Sequence, residues 1–444
     1  MLLVSRRGRV LRLVERDGER RFEPVEMALP STLNNGVIAR EFTRTRLGYK
    51  DLLIRARGPD VELTLSYLVG DPEGRCPRLV VAQATVPRDA LEVGVAQAAW
   101  RELWRMRDCH DTREVSIVQS AAAMAWMDDG RLAVFVSDFM VDDFNRLLPG
   151  AGPQSPDSDL GKTIAIDPES RAVEILSFGH RNGGGIAFRD GRLWVVEHGA
   201  RGGDEINLIE AGNNYGWPYE TLGTDYHVMT WPPDSTLGTH GGDFTLPKMA
   251  FVPSIAPSSA VVYRGGEVAA WDGDLIIGTL RMQSIYRVRI RDDAVLFAEP
   301  IPLGERIRDV AVDGRGRIYA LVADGDHVKV IEADEEDTVD TVLADARRQL
   351  AGCNSCHQLD PTDRAEYVAP TLVGVSLRPI ASVTGFAYSD ALSAREGVWS
   401  KENLRNFLLR PEAFSPGTSM PRQEIDRDEI NDFLQALLLL SPAP

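Results

Sequence analysis

Through residues 1–330, apolar and polar positions alternate in short runs, and a turn signal leads into many of them. Asp129-Gly130 precedes RLAVFVSD, Asp190-Gly191 precedes RLWVVEH, Asp272-Gly273 precedes DLIIGTL, and Gly314-Arg315-Gly316 precedes RIYALVAD. Glycine supplies the positive φ of a tight hairpin, and alternation with period two marks a half-buried strand. A turn followed by a strand, repeated at long and irregular intervals, predicts repeated four-stranded units. The segment is too long for one sandwich, so the expected architecture is all-β, a propeller. The pattern leaves the number of blades open. Irregular intervals imply insertions between blades, and insertions on one face build sites.

The periodicity changes near the C-terminus. Thr341–Gly352 (TVLADARRQLAG) and Asp428–Leu440 both read as helices with an apolar face. Between the two regimes, EADEEDTVD at 332–340 is acidic and aperiodic, which reads as a solvated linker. The expected organisation is a β domain at 1–331, a linker at 332–340 and a small all-α domain at 341–444. A chain of 444 residues is too long for one compact core, which agrees. With 43% hydrophobic and 26% charged residues it has the composition of a globular protein. A formal net charge of −17 argues against nucleic acid and anionic membrane surfaces as partners. It leaves room for a small neutral substrate, a cation such as calcium, or a basic redox partner. No apolar run approaches the length of a membrane span.

The most specific chemistry is Cys353-Asn354-Ser355-Cys356-His357. C-x-x-C-H is the attachment sequence of c-type haem: two thiols add to the vinyl groups and the adjacent imidazole binds iron. Segment 341–444 contains no other Cys or His, which leaves a Cys/His zinc site incomplete. It contains one Met, Met420, the candidate distal ligand, although a Met also serves as core filling. Ala369-Pro370-Thr371-Leu372-Val373-Gly374, Gly385-Phe386-Ala387-Tyr388-Ser389, Trp399 and Leu404–Pro411 complete a resemblance to class I cytochrome c over about the last hundred residues. The Gly-Pro usual in that family is Ala369-Pro370 here.

Haem attachment takes place outside the cytoplasm, so a periplasmic or otherwise extracytoplasmic location is expected. Met1–Arg7 shows no signal-peptide pattern. The two remaining cysteines, Cys76 and Cys109, are either a disulfide or two buried thiols. An oxidising compartment favours the bridge.

Within the β domain, His180–Pro218 crowds glycines, two His, four Arg and the pair Asp204-Glu205 around one short strand. Gly183–Gly185 and Gly202-Gly203 suit close backbone approach to a bound group or positive φ. Carbonyls in such a loop, with Glu205 nearby, are the hard oxygens that calcium takes. Arg181 and Arg201 suit a carboxylated ligand. The competing reading is a long inter-blade loop with solvated charges.

Arg181-Asn182, Glu197-His198-Gly199, Gly202–Asn207 and Asn214–Pro218 resemble the soluble quinoprotein glucose and aldose sugar dehydrogenases. So do Ile255–Ser259, Thr279-Leu280-Arg281 and Arg306–Val310. The resemblance implies a six-bladed propeller that holds pyrroloquinoline quinone (PQQ) and calcium and oxidises aldoses to lactones. It implies that Arg181, Asn182 and His198 lie at the quinone, with Arg281, Arg306 and Arg308 as basic cofactor-binding positions. It implies that the carbonyls of Gly199 and Ala200 bind a catalytic calcium, and that Glu205 and the Tyr215 carbonyl bind a structural one. Alternation along a strand would point Arg306 and Arg308 to one face.

The departures are equally specific. The family's base, a His, falls on Gln119, whose amide cannot accept a proton at neutral pH. Ala121–Ala123 follows where Gly and Arg are usual, Gly183-Gly184 replaces Pro-Gln, and Ala200 replaces Pro. His110, His227 and His240 are the candidate substitutes for the base. The sequence therefore predicts a redox protein that passes electrons from a sugar or alcohol through PQQ to haem c and on to a downstream acceptor. The alternative is a non-catalytic cytochrome with a degenerate propeller used for binding or docking.

Overall fold

The structure, a computed structural model, describes residues 1–16, 19–30, 48–70, 76–95, 98–109, 119–140, 152–224, 244–265, 267–333, 346–360, 363, 365–376, 378–423, 425 and 430–440. The chain divides into two compact units, Met1–Glu332 and Ala333–Pro444.

The first unit is a six-bladed β-propeller, and its blades follow one another along the chain. Blade 1 contains β1 (Leu2–Val4), β2 (Val10–Arg16) and β3 (Glu19–Val25). Blade 2 contains β4 (Tyr49–Arg57), β5 (Asp60–Gly70), β6 (Pro77–Pro87) and β7 (Arg101–Arg105). Blade 3 is β8 (Met124–Trp126), β9 (Leu132–Val136), β10 (Lys162–Ile166) and β11 (Val173–Phe178). Blade 4 is β12 (Asn182–Arg189), β13 (Arg192–His198) and β14 (Asp204–Ile209). After it, β15 (Asn213–Asn214) adds in parallel to β11, and β16 (Met249–Phe251) completes blade 4 beside β14. Blade 5 is β17 (Pro257–Val262), β18 (Leu275–Thr279), β19 (Ser284–Arg291) and β20 (Ala294–Pro302). Blade 6 is β21 (Ile307–Val312), β22 (Ile318–Val322) and β23 (Val328–Ile331).

The turn signals fall where the pattern places them. Gly130, Gly191, Gly273 and Gly316 take φ of 86°, 74°, 80° and 101°, and each sits between the first and second strand of blades 3 to 6. Middle strands read as continuous apolar runs because each sheet is covered on both faces by its neighbours. LAVFV in β9 and LIIGT in β18 are buried at every position. The core accordingly lies between blades. Leu68, Leu79, Leu132 and Ile164 pack together, Phe135 packs with Ile186 and Val195, and Tyr263 packs with Ile276 and Ile307. Burying each such side chain contributes on the order of 2 kcal/mol.

Blades 1 and 6 are joined through side chains. The Arg20 guanidinium donates to both oxygens of Glu332 at 2.9 and 2.8 Å, and Arg317 reaches Glu15 at 3.3 Å. Cys76 and Cys109 form a disulfide that joins the start of β6 to the segment after β7.

The second unit is helical. It contains α1 (Asp390–Ser393), α2 (Lys401–Leu409), α3 (Pro411–Phe414) and α4 (Ile430–Leu439). Ser389 and Ser400 cap the first two, accepting from the amides of Leu392 and Asn403. Residues 346–349 are helical, and the earlier part of the expected Thr341–Gly352 helix lies outside the described residues. Leu350, Leu404, Leu408, Phe414, Leu434 and Leu437 form its core.

Candidate functional site

Arg181 is the hub of the propeller site. It enters β12 with its backbone fixed on both sides: its N–H donates to Glu197 Oε2 at 2.8 Å, and its carbonyl accepts from the Asp138 amide at 2.8 Å. Only 5% of it is exposed. Nη1 donates to the Gly199 carbonyl at 2.7 Å, and the guanidinium lies 5.1 Å from the Trp217 ring centre. With the Gln119 amide turned so that both neighbours are satisfied, its Oε1 accepts from Arg181 Nη2 at 2.8 Å and its Nε2 donates to Asp138 Oδ1 at 3.2 Å. Arg181 Nε is buried and has no partner among the described residues.

Asp138 is the residue that this reading of the sequence overlooks. It stands at the end of RLAVFVSD, 1% exposed, and its carboxylate also accepts from Trp217 Nε1 at 2.9 Å and from the Met140 amide at 3.0 Å. Burial pushes its carboxyl up to about 6 against the opposing pull of the Arg181 charge. Phe139 and Met140 beside it hold left-handed backbone, with φ of 53° and 56°. Strain of that kind persists only where the surroundings over-determine it. Its signal in the sequence is weak, one acid closing an apolar strand.

Asn182 and His198 are direct cross-strand partners, and Asn182 Oδ1 accepts from Ser137 Oγ at 3.1 Å. Burial holds His198 down to about 4; Asp204 opposes this, and the Arg181 and Arg308 charges add to it. His198 is therefore neutral at pH 7, with two cations beside it. Arg306 pairs with Asp324 at 3.3 Å and Arg281 is exposed. The alternation expected for Arg306 and Arg308 is broken, because β21 begins at Ile307 and a bulge at Arg308 interrupts its pairing. A bulge residue leaves the ladder, so period-two reasoning fails across it.

Asp204 ties the loops together. Oδ1 accepts from the Gly199 amide at 3.0 Å, and Oδ2 accepts from Ser254 Oγ and the amides of Ile255 and Ala256 at 2.6 to 2.8 Å. The carbonyl of Ile255 in turn accepts from the Arg281 amide at 3.2 Å. Beneath them, His180 bridges Ser177 Oγ and Glu197 Oε1 at 2.8 Å each. This Ser-His-Glu set is enclosed, with Ser177 and His180 at 0% exposure, so its role is to fix Glu197 and not to attack a substrate.

A small cavity is lined by Arg181, Glu197, Gly199, Glu205, Tyr215 and Trp217, among others. Burial pushes the Glu205 carboxyl up to about 8, with Glu197 adding to it and Asn207 opposing. Such a carboxyl is protonated at pH 7 when alone, and a cation beside it and Glu197 would stabilise its ionised form; Gly199 keeps one lone pair beyond the Arg181 bond. Among the described residues, no three His, Cys, Asp or Glu side chains form a metal cluster, so backbone oxygens would have to complete any set. An anion fits on other grounds: among the described residues Arg181 Nε has no partner, and the Arg181 and Arg308 charges both act at His198, which suits carboxylates.

One expectation changes. Gly183–Gly185 serve the neighbouring blade: a Cβ on Gly183 would meet the Phe135 ring at 2.5 Å, and one on Gly184 the Pro257 carbonyl at 2.3 Å. No glutamine side chain fits there. Gly202 and Gly203 do take positive φ, 93° and 68°. His110, His227 and His240 lie outside the described residues.

In the helical unit the Cys353–His357 run lies on a helical turn, with the His357 amide donating to the Cys353 carbonyl at 2.8 Å. His357 Nδ1 lies 2.7 Å from the Pro370 carbonyl, which fixes the proton there and leaves Nε2 to bind a metal. Burial lowers the pKa of His357, which favours the neutral, ligating form. Met420 packs against the core, both cysteines are free thiols, and Trp399 stacks on Phe414 at 5.9 Å. These groups fit a covalently attached haem.

Residues 1–331 match the family described as Glucose / Sorbosone dehydrogenase. The aldose sugar dehydrogenase YliI of Escherichia coli is 34% identical over 171 residues, 37% of this chain and 46% of that protein. A cytochrome c homolog of Rickettsia bellii is 39% identical over 101 residues, 22% of this chain and 57% of that one. The apo crystal structure of the soluble E. coli aldose sugar dehydrogenase superposes with a TM-score of 0.58 at 24% identity, covering 74% of this chain and 91% of that one. The chain spans about half the length of the curated relatives it matches. With the family match extending over the whole propeller, the chain belongs to the glucose/sorbosone dehydrogenase family, and a cytochrome c-like region follows in the same polypeptide.

Proposed function

We propose that the propeller is a PQQ- and calcium-dependent dehydrogenase of an aldose or related alcohol, and that its electrons pass to a haem c in the helical unit. The observation that carries this reading is the Arg181 hub, which places a buried guanidinium, a second cation and a neutral His around one region. Bound there, PQQ would supply a two-electron oxidant, and calcium would polarise it as a Lewis acid. Arg181, Asn182, His198, Arg281, Arg306 and Arg308 are the proposed cofactor-binding residues. Gly199 and Ala200 carbonyls are assigned to the catalytic cation, and Glu205 and Tyr215 to the structural one. Cys353 and Cys356 would hold the haem, with His357 and Met420 as its axial ligands. One chain raises the effective concentration of the electron acceptor. Haem attachment and the Cys76–Cys109 disulfide support an extracytoplasmic, periplasmic setting. A soluble or membrane-bound redox protein is the proposed downstream acceptor.

Gln119 supports a second reading, a propeller that binds without turning over, because its amide is committed to Asp138 and Arg181 and accepts no proton. One experiment separates the two. Haem-matured protein is loaded with calcium and PQQ and mixed with a panel of aldoses and alcohols while haem absorption is followed. Substrate- and PQQ-dependent haem reduction is the expected result. PQQ binding without reduction favours the second reading, and no PQQ binding removes the cofactor assignment.

A further inference from the structure

The innermost strands share one irregularity. Pairing shifts between Tyr49 and Asp51 in β4, between Gly183 and Gly185 in β12, between Pro257 and Ser259 in β17, and between Ile307 and Asp309 in β21. Blades 2, 4, 5 and 6 each carry a one-residue bulge just inside the start of the innermost strand. The residues in it are Lys50, Gly184, Ser258 and Arg308. Such a residue leaves the ladder, and the bulge re-aims its side chain. By position, Lys50 is the blade 2 counterpart of Arg308 in blade 6.

The two share more than position. Each is followed by an aspartate whose carboxyl is raised by loss of solvation, Asp51 to about 7 and Asp309 in the same direction, and the Asp309 charge adds to the shift of Asp51. Asp51 and Asp309 are thus close enough for one charge to act on the other. Lys50 Nζ donates to Ser120 Oγ at 2.7 Å, which puts the ammonium beside the residue that adjoins Gln119. Gln119 holds Arg181 Nη2, and Arg308 acts on His198. Lys50 from blade 2 and Arg181 from blade 4 thus meet the adjacent residues Ser120 and Gln119, and the Arg308 charge from blade 6 acts on His198.

We propose that Lys50 is an anion-binding residue of the propeller site, meeting a carboxylate of the bound quinone from the Gln119 side. The proposal rests on the cofactor reading above and deepens it. A tricarboxylate needs cations spread around it. Lysine is a compact charge on a flexible stem, and it needs no fixed fork geometry to reach one carboxylate.

The test is a PQQ titration of the full-length, haem-matured protein in calcium, followed by calorimetry and by quenching of tryptophan fluorescence. Lys50→Met is expected to weaken binding by about tenfold or more, the usual cost of losing one charged hydrogen bond. Lys50→Arg is expected to restore most of the affinity. Lys50→Gln keeps a polar partner for Ser120, and it guards against a folding defect in the Met variant. If the Met and Gln variants bind within about twofold of the parent, Lys50 has no such role and the cofactor reading stands. If the parent itself binds no PQQ, both fall together.

Discussion

Gln119 Nε2 donates to Asp138 Oδ1 at 3.2 Å, so the position that the resemblance to the quinoprotein dehydrogenases gives to their base is wired to a buried carboxylate. An imidazole at 119 would meet the same carboxylate, which would orient it and stabilise its charged form. Gln119→His is therefore expected to raise the rate of substrate-dependent haem reduction, on the order of 100-fold, the usual contribution of a general base. Stopped-flow absorption of the haem with PQQ-loaded protein measures it. An unchanged rate would mean that another group already takes the proton.

The pH dependence of Asp138 has a defined sign. Its carboxyl is raised from an ordinary 3.8 to about 6 in the folded chain, so between those values the folded state binds more protons than the unfolded one. Its contribution to stability is present below pH 4 and is lost as pH rises through 6. Asp138→Asn is expected to flatten the stability profile across pH 4 to 6 by about 2 to 3 kcal/mol relative to the parent. Urea unfolding at a series of pH values reads the difference.

The Cys76–Cys109 bridge closes a loop with a sequence separation of 33. Loop-closure entropy for that length corresponds to about 4 kcal/mol. The paired Cys76→Ser and Cys109→Ser variant should unfold at lower denaturant with both haem cysteines intact. Equal midpoints would show that the unfolded chain is not constrained by the bridge.

Met420 packs against the helical core, and His357 keeps Nε2 for iron. Replacing the thioether by a non-ligating side chain, Met420→Ala, should lower the haem reduction potential, because soft thioether ligation raises it. Potentiometric titration of the haem band decides this. A potential equal to the parent's would take Met420 out of the ligand set.

Much of the propeller is legible in the sequence because its hairpins are punctuated by glycine. Gly130, Gly191, Gly273 and Gly316 each open the second strand of a blade, and each needs the positive φ that only glycine takes freely. Blades 1 and 2 use Gly8 and Gly58 without the Asp-Gly pair, so their start is harder to see. The Cys353–His357 run is legible because its chemistry is local. Asp138, Glu197 and Lys50 are not, because their roles come from partners 43, 16 and 70 residues away or nearly so, as with Glu197 and the Arg181 amide or Lys50 and Ser120. Alternation does not carry from Arg306 to Arg308 for a related reason: one extra residue at Arg308 shifts the pairing of β21 with β22.

Arg20 grips both oxygens of Glu332, the last residue of the first unit. Everything C-terminal to the propeller leaves the ring at that grip. The pair thus ties the last residue of the first unit to β3 of blade 1, so the end of the ring is held by its first blade as well as by the ladder of β22 and β23.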